Sequence, residues 1–122
     1  MAKVLVLDVE NGETRIVECE KLNDYYKELK CEIFDIATRR IGGKYFDIFC
    51  DDEGTFRENP IVSAVYPDHS PALVGNLIFA NHNSKGETTS LTSKDIGMIR
   101  NSMRFAVGKD RVWEVVELDE IV

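Results

Sequence analysis

The side chains best suited to chemistry in this chain are three cysteines, two histidines, a run of carboxylates and a pair of arginines. Cys19, Cys31 and Cys50 are odd in number and widely spaced. No Cys-x-x-Cys pair occurs, so zinc-ribbon and thioredoxin-type chemistry lack a framework. Each cysteine lies beside or within an apolar run, the setting of a small buried thiol. A nucleophilic thiol needs a base, and His69 and His82 both fall in polar, loop-like stretches. Neither has a ligand partner at metal-binding spacing. Asp51-Asp52-Glu53 before Gly54 does not follow the alternating ligands of an EF-hand and reads as a solvated turn. Arg39-Arg40, with Lys44 and Tyr45 across a hairpin, offer phosphate contacts and a stacking ring for a single nucleic-acid strand. The P-loop, the dinucleotide fingerprint and the Gly-x-Ser-x-Gly elbow are absent. The sequence therefore assigns no catalytic residue, no metal ligand and no cofactor, and weighs against an enzyme without excluding one.

A second set of polar residues surrounds the least regular stretch, Thr55 to Pro71. Asn59 and Ser63 lie within it, while Asn76, Asn81 and Asn83 surround the end of the strand that follows. Amides both donate and accept, which suits a polar ligand such as a nucleotide. The candidate ligand-binding residues are thus Arg39, Arg40, Asn59, Ser63, Asn76, Asn81 and Asn83. Turn preferences alone account for most of the Asn and Ser positions.

The elements that must position these groups follow from periodicity. Lys3 to Val9 reads as a strand, and Asn11-Gly12 as a hairpin turn into Thr14 to Cys19. Leu22, Tyr25, Tyr26 and Leu29 mark one face of a short helix packed on the sheet. Cys31 to Ile41 and Lys44 to Cys50 flank Gly42-Gly43, a two-residue turn that sets Ile41 opposite Lys44, Arg40 opposite Tyr45 and Thr38 opposite Asp47. Asp35 and Asp47 interrupt apolar strands and are expected on the solvated face. Thr55 to Pro71 is expected to be a long loop that buries Ile61, Val62, Val65 and Tyr66, and so a functional one. Ala72 to Ala80 reads as one central strand with a bulge at Gly75-Asn76. Thr92 and Asp95 form a capping box for a last helix, with Ile96, Ile99, Met103 and Phe105 on its apolar face. Lys109-Asp110 turns the chain into a closing strand, Arg111 to Leu118, before the acidic Asp119-Glu120.

The whole is expected to be one α+β domain over residues 1–122, a mostly antiparallel sheet of five to six strands with two helices. Fifteen basic against twenty-two acidic residues give a net charge of −7, which argues against nucleic acid as the main partner. No apolar run approaches a membrane span, and Val4 to Leu7 is too short for a signal peptide core, so a cytoplasmic protein is expected. A free sheet edge would favour self-association, and the oligomeric state stays open.

Residues 48–99 carry a resemblance as a block. Ile48-Phe49-Cys50-Asp51-Asp52-Glu53-Gly54 is followed by Glu58-Asn59-Pro60 with Ser63-Ala64. Leu73-Val74-Gly75-Asn76-Leu77-Ile78-Phe79 comes next, then Gly86 to Thr92 with Asp95-Ile96. This order resembles a small family of phages and mobile elements of Gram-positive bacteria, catalogued as domain of unknown function 3846. The Lys3-Val4-Leu5-Val6 strand and the early helix also fit, and the departures lie mainly after Arg104. The resemblance transfers no catalytic residue. It implies an accessory role in phage–host conflict, in the host cytoplasm if phage-encoded. The expected function is non-catalytic binding that counters a host defence, by sequestering a nucleotide-like signal or by covering a defence protein with the long loop and acidic surface. The alternatives are a small nucleotide-processing enzyme and a single-stranded nucleic-acid binding module.

Overall fold

Val4-Leu5-Val6-Leu7 is apolar at consecutive rather than alternate positions, as in a strand covered on both faces. The computed structural model describes residues 2–119 and places the run in that setting. In chain order the elements are β1 (Ala2–Asp8), β2 (Glu13–Cys19), α1 (Leu22–Leu29), β3 (Phe34–Ile41), β4 (Lys44–Asp51) and a 3-10 turn (Gly54–Phe56). They continue as β5 (Val62–Val65), β6 (Pro71–Val74), β7 (Leu77–His82), β8 (Thr88–Thr89), α2 (Ser93–Asn101), β9 (Met103–Val107) and β10 (Val112–Glu117). A six-stranded antiparallel sheet has the order β2-β1-β7-β4-β3, with β8 on β7. A second sheet, β6-β5-β10-β9, is antiparallel except where β10 runs parallel to β5. The protein is α+β.

The six-stranded sheet is buried on both sides. Tyr25 and Leu29 of α1 pack with Val4, Val6, Phe49 and Ile78 on one side. Leu5, Leu7, Phe46, Ile48 and Phe79 pack on the other with Ala64 and Val116 of the second sheet and Ile96 and Ile99 of α2. Leu22, expected on the buried helix face, is exposed, and Tyr25 and Leu29 alone are buried on α1.

The β3–β4 hairpin has the register read from Gly42-Gly43, with Ile41 opposite Lys44, Arg40 opposite Tyr45 and Thr38 opposite Asp47. Both glycines have positive φ, +60° and +90°, as a two-residue turn with the right twist requires. At the first hairpin the pairing begins at Asp8 and Glu13, so the turn spans four residues and not two. Asp8 sets that length by accepting from both the backbone and the side-chain amide of Asn11.

Three expectations are corrected. The stretch 55–71 is not a bare loop, since it holds the 3-10 turn, β5 and the start of β6. Ala72 to Ala80 is not one bulged strand. Gly75, at φ +79°, breaks it, and the chain passes from the second sheet into the first. Asn76 then ties the break down, accepting from Val9 N at 3.1 Å and donating to Glu28 O at 3.3 Å. Met103 and Phe105 belong to β9 and not to the last helix, which ends at Asn101. Met103 satisfies a helical and an alternating pattern at once, and pairing with β10, Met103 opposite Val116 and Phe105 opposite Glu114, decides for the strand. Asp95 does cap α2 as read. Its carboxylate also holds Lys44 Nζ at 2.7 Å and Asn81 Nδ2 at 2.8 Å, so α2 is fastened to β4 and β7. Glu120 lies outside the described residues.

Asn76→Ala would leave the buried Val9 N–H without an acceptor. It should lower unfolding free energy by about 1–3 kcal/mol in urea titrations. An unchanged midpoint would mean that the amide does not hold the break.

Candidate functional site

Where β1, α1 and the chain break meet, the ends of three elements leave a cavity of about 320 Å³. Val9, Leu29 and Ile61 give it apolar walls, and Asn76 forms part of the lining. Its rim carries Lys30, Arg57 and Asn59, together with the carboxylates Glu10, Asp51 and Glu58. Lys30 ends α1 in the left-handed conformation, φ +56°, and donates to Glu10 at 3.1 Å. That bond raises the Lys30 pKa, so the ammonium is charged at neutral pH. Arg57 follows the 3-10 turn and grips Asp51, with Nε at 2.9 Å and Nη2 at 3.4 Å. Gly54 lets that turn approach β6 closely, since a Cβ there would stand 2.9 Å from a Val74 methyl. Asn59, also left-handed at φ +56°, is exposed, and its side-chain amide has no hydrogen bond among the described residues. Asn adopts the left-handed region more readily than most other non-glycine residues.

Under this corner lies Asp8, 1% exposed, bonded to Arg15 at 2.9 Å and with Lys30 at 4.0 Å. Burial by itself would raise its pKa. The hydrogen bonds from Arg15 and Asn11 and the charge of Lys30 outweigh burial and hold the carboxyl down at about 2. Arg15 reaches on to Glu28 of α1 at 2.6 Å, so one charge cluster joins β1, β2 and the helix.

Of the seven residues read as candidates, the structure brings only Asn59 and Asn76 to this cavity. Asn76 spends its amide on two backbone groups and so builds the wall. Ser63 is fully buried in β5 and cannot meet a ligand from solvent. Asn81 ties β7 to Ser90 and Asp95, and Asn83 closes its own turn through Lys85 N and Glu87. Arg39 donates to the neighbouring Thr38 carbonyl. Arg40 sits at the hairpin tip with Nε 3.3 Å from Asp119, whose two oxygens accept from Gly42 N and Gly43 N at 2.7 Å each. The phosphate site imagined there is thus filled by the chain's own carboxylate. Lys30 and Arg57 lie at the cavity instead, and no local sequence pattern marks either of them.

Asp47 corrects a further expectation. Asp35 is solvated as read, but Asp47 is buried, because β4 is covered on both faces. It accepts from Thr38 Oγ1 at 2.9 Å and pairs with His82 Nδ1 at 3.0 Å. This orients the imidazole as a general base is oriented. No hydroxyl or thiol bonds to the other ring nitrogen among the described residues, so the pair lacks a nucleophile to activate. The thiols are equally unsuited. Burial pushes Cys19 and Cys50 up to about 11, which leaves them neutral at physiological pH.

Fold and cavity together define an α+β protein with an apolar-walled, charge-rimmed cavity at one end of its larger sheet. The chain belongs to the family described as domain of unknown function (DUF3846), whose model matches residues 1–118. No curated protein and no solved structure matches it.

Two outcomes follow. The Asp8 carboxylate has a depressed folded pKa, so its stabilisation is complete above the unfolded value of 3.8 and is lost as pH falls through about 2. Urea midpoints of Asp8→Asn should therefore fall less steeply than wild type over that window, and equal slopes would contradict the assignment. Cys19 and Cys50 should resist alkylation by iodoacetamide in the native protein at neutral pH, and rapid labelling would contradict their burial.

Proposed function

We propose that this chain is a non-catalytic binding protein that holds a small nucleotide-like molecule in the cavity between β1, α1 and the 3-10 turn. One observation carries the reading: apolar walls, two anchored cations and the uncommitted amide of Asn59 converge on a single concavity. Its volume of about 320 Å³ falls within the roughly 300–1,000 Å³ of small-ligand sites. The absence of an activated nucleophile beside it supports binding over turnover among the described residues. The biological setting comes from the family resemblance alone: a phage or mobile element that sequesters a host defence signal in the cytoplasm.

A second reading, contact with a defence protein, has a different observation in its favour. Phe105 and Val107 of β9 and Val112 of β10 are 74%, 79% and 59% exposed on the outer hairpin of the second sheet. Val107 and Val112 are cross-strand partners, so they share one face with Phe105.

A thermal-shift screen against mono-, di- and cyclic nucleotides, including NAD-derived ones, separates these readings. A ligand at ~100 times its dissociation constant adds about 2.7 kcal/mol and raises the midpoint by several degrees. The shift should vanish in Arg57→Ala and persist in Arg40→Ala. A flat panel would overturn the ligand reading.

A further inference from the structure

A second cavity, shallow and largely open to solvent, adjoins the first, and the two share Lys30 and Arg57. Tyr26, Lys27, Cys31 and Glu32 complete its lining. Three cations and one carboxylate line it, and two of those cations, Lys30 and Arg57, are already paired with Glu10 and Asp51 of the first cavity, so Lys27 supplies the unpaired charge. The first cavity has the opposite balance: its cations are the same Lys30 and Arg57, set against Glu10, Asp51 and Glu58. We infer that the ligand is bound with a fixed polarity, its phosphate in the second cavity among Lys27, Lys30 and Arg57 and its donor-bearing ring and sugar in the first. The ligand class is a nucleoside monophosphate or a similarly compact organic phosphate. This inference rests on the proposed ligand-binding role of the first cavity.

The polarity follows from what each wall can accept. Glu58, without an ion pair among the described residues, repels a phosphate from the first cavity, the three carboxylates accept from hydroxyl and amino groups, and Val9, Leu29 and Ile61 cover the faces of a ring. Arg57 spends Nε and Nη2 on Asp51, and Lys30 donates to Glu10. Both head groups are thereby held at the shared boundary with further N–H donors to spare. The Lys27 ammonium makes no side-chain hydrogen bond or ion pair among the described residues, although its charge acts on Asp24 one turn earlier. A cation in the last turn complements the helix dipole, which accounts for Lys27 standing on α1. It does not account for Arg57 arriving from the opposite loop to join it.

The test is calorimetric titration of the full chain with the four ribonucleoside 5′-monophosphates and their matching nucleosides, in wild type, Lys27→Glu and Lys94→Glu. Lys94 is an exposed lysine in the first turn of α2 and controls for net charge. The expected result is that at least one monophosphate binds more tightly than its nucleoside. Lys27→Glu should weaken that monophosphate about tenfold and leave the nucleoside unchanged, while Lys94→Glu changes neither. Nucleoside and monophosphate binding alike, or both lysine variants weakening the monophosphate equally, would overturn the polarity and leave the first cavity as a ligand site. No binding of either class would overturn the ligand reading itself and this inference with it. Lys27 is exposed on α1, and an unchanged circular dichroism spectrum verifies that the variant is folded.

Discussion

The side chain of Asn76 is the constraint on which the rest of this structure depends. The chain must leave the second sheet after Val74 and enter the first at Leu77, within two residues. Gly75 makes the turn, but a turn alone does not fix where the new strand begins. The buried amide does so by bonding the end of β1 through Val9 N and the end of α1 through Glu28 O. Three element ends are thereby held around one point. The cavity is the space they leave, since helix and strand ends diverge where side chains from the sheet no longer reach.

The acidic surplus of the chain is only partly a solvated surface. Asp8, Asp47, Asp95 and Asp119 each join parts of the chain that are distant in sequence or lie on different elements. Asp8 holds Arg15 and Asn11, Asp47 holds Thr38 and His82, Asp95 holds Lys44 and Asn81, and Asp119 closes on the Gly42-Gly43 tip beside Arg40. In Asp95, as in Asp8, burial opposes the charge. Hydrogen bonds from Lys44, Thr92 and Asn81 outweigh it, and its pKa lies well below the ordinary carboxylate range. Removing one partner of such a buried pair leaves the other charge uncompensated and is strongly destabilising. Lys27, Lys30 and Arg57 stand out instead because they line one shared surface.

Hairpins, the first helix and the capped second helix were legible because turn chemistry and periodicity act locally. The β3–β4 register followed from Gly42-Gly43 alone. The division into two sheets was not legible, because a glycine inside an apolar run signals a bulge and a chain break equally well. Asp47 was misplaced for a related reason: alternation predicts a solvated aspartate only when one face of the strand is open, and α1 and the second sheet cover β4 on both. Of the site, the sequence indicated two asparagines at the cavity and missed its cations. Arg57 acquires its meaning from the 3-10 turn that carries it back toward α1, a tertiary fact without a local pattern.

The central claim, that the cavity at the Asn76 corner is the binding site, is tested most directly by a nuclear magnetic resonance titration of the 15N-labelled chain with a nucleoside monophosphate. Amide shifts should concentrate at Val9, Glu10, Lys30, Arg57, Asn59 and Gly75. Shifts confined to Arg39, Arg40 and Tyr45 at the β3–β4 hairpin, or none at all at millimolar ligand, would contradict it.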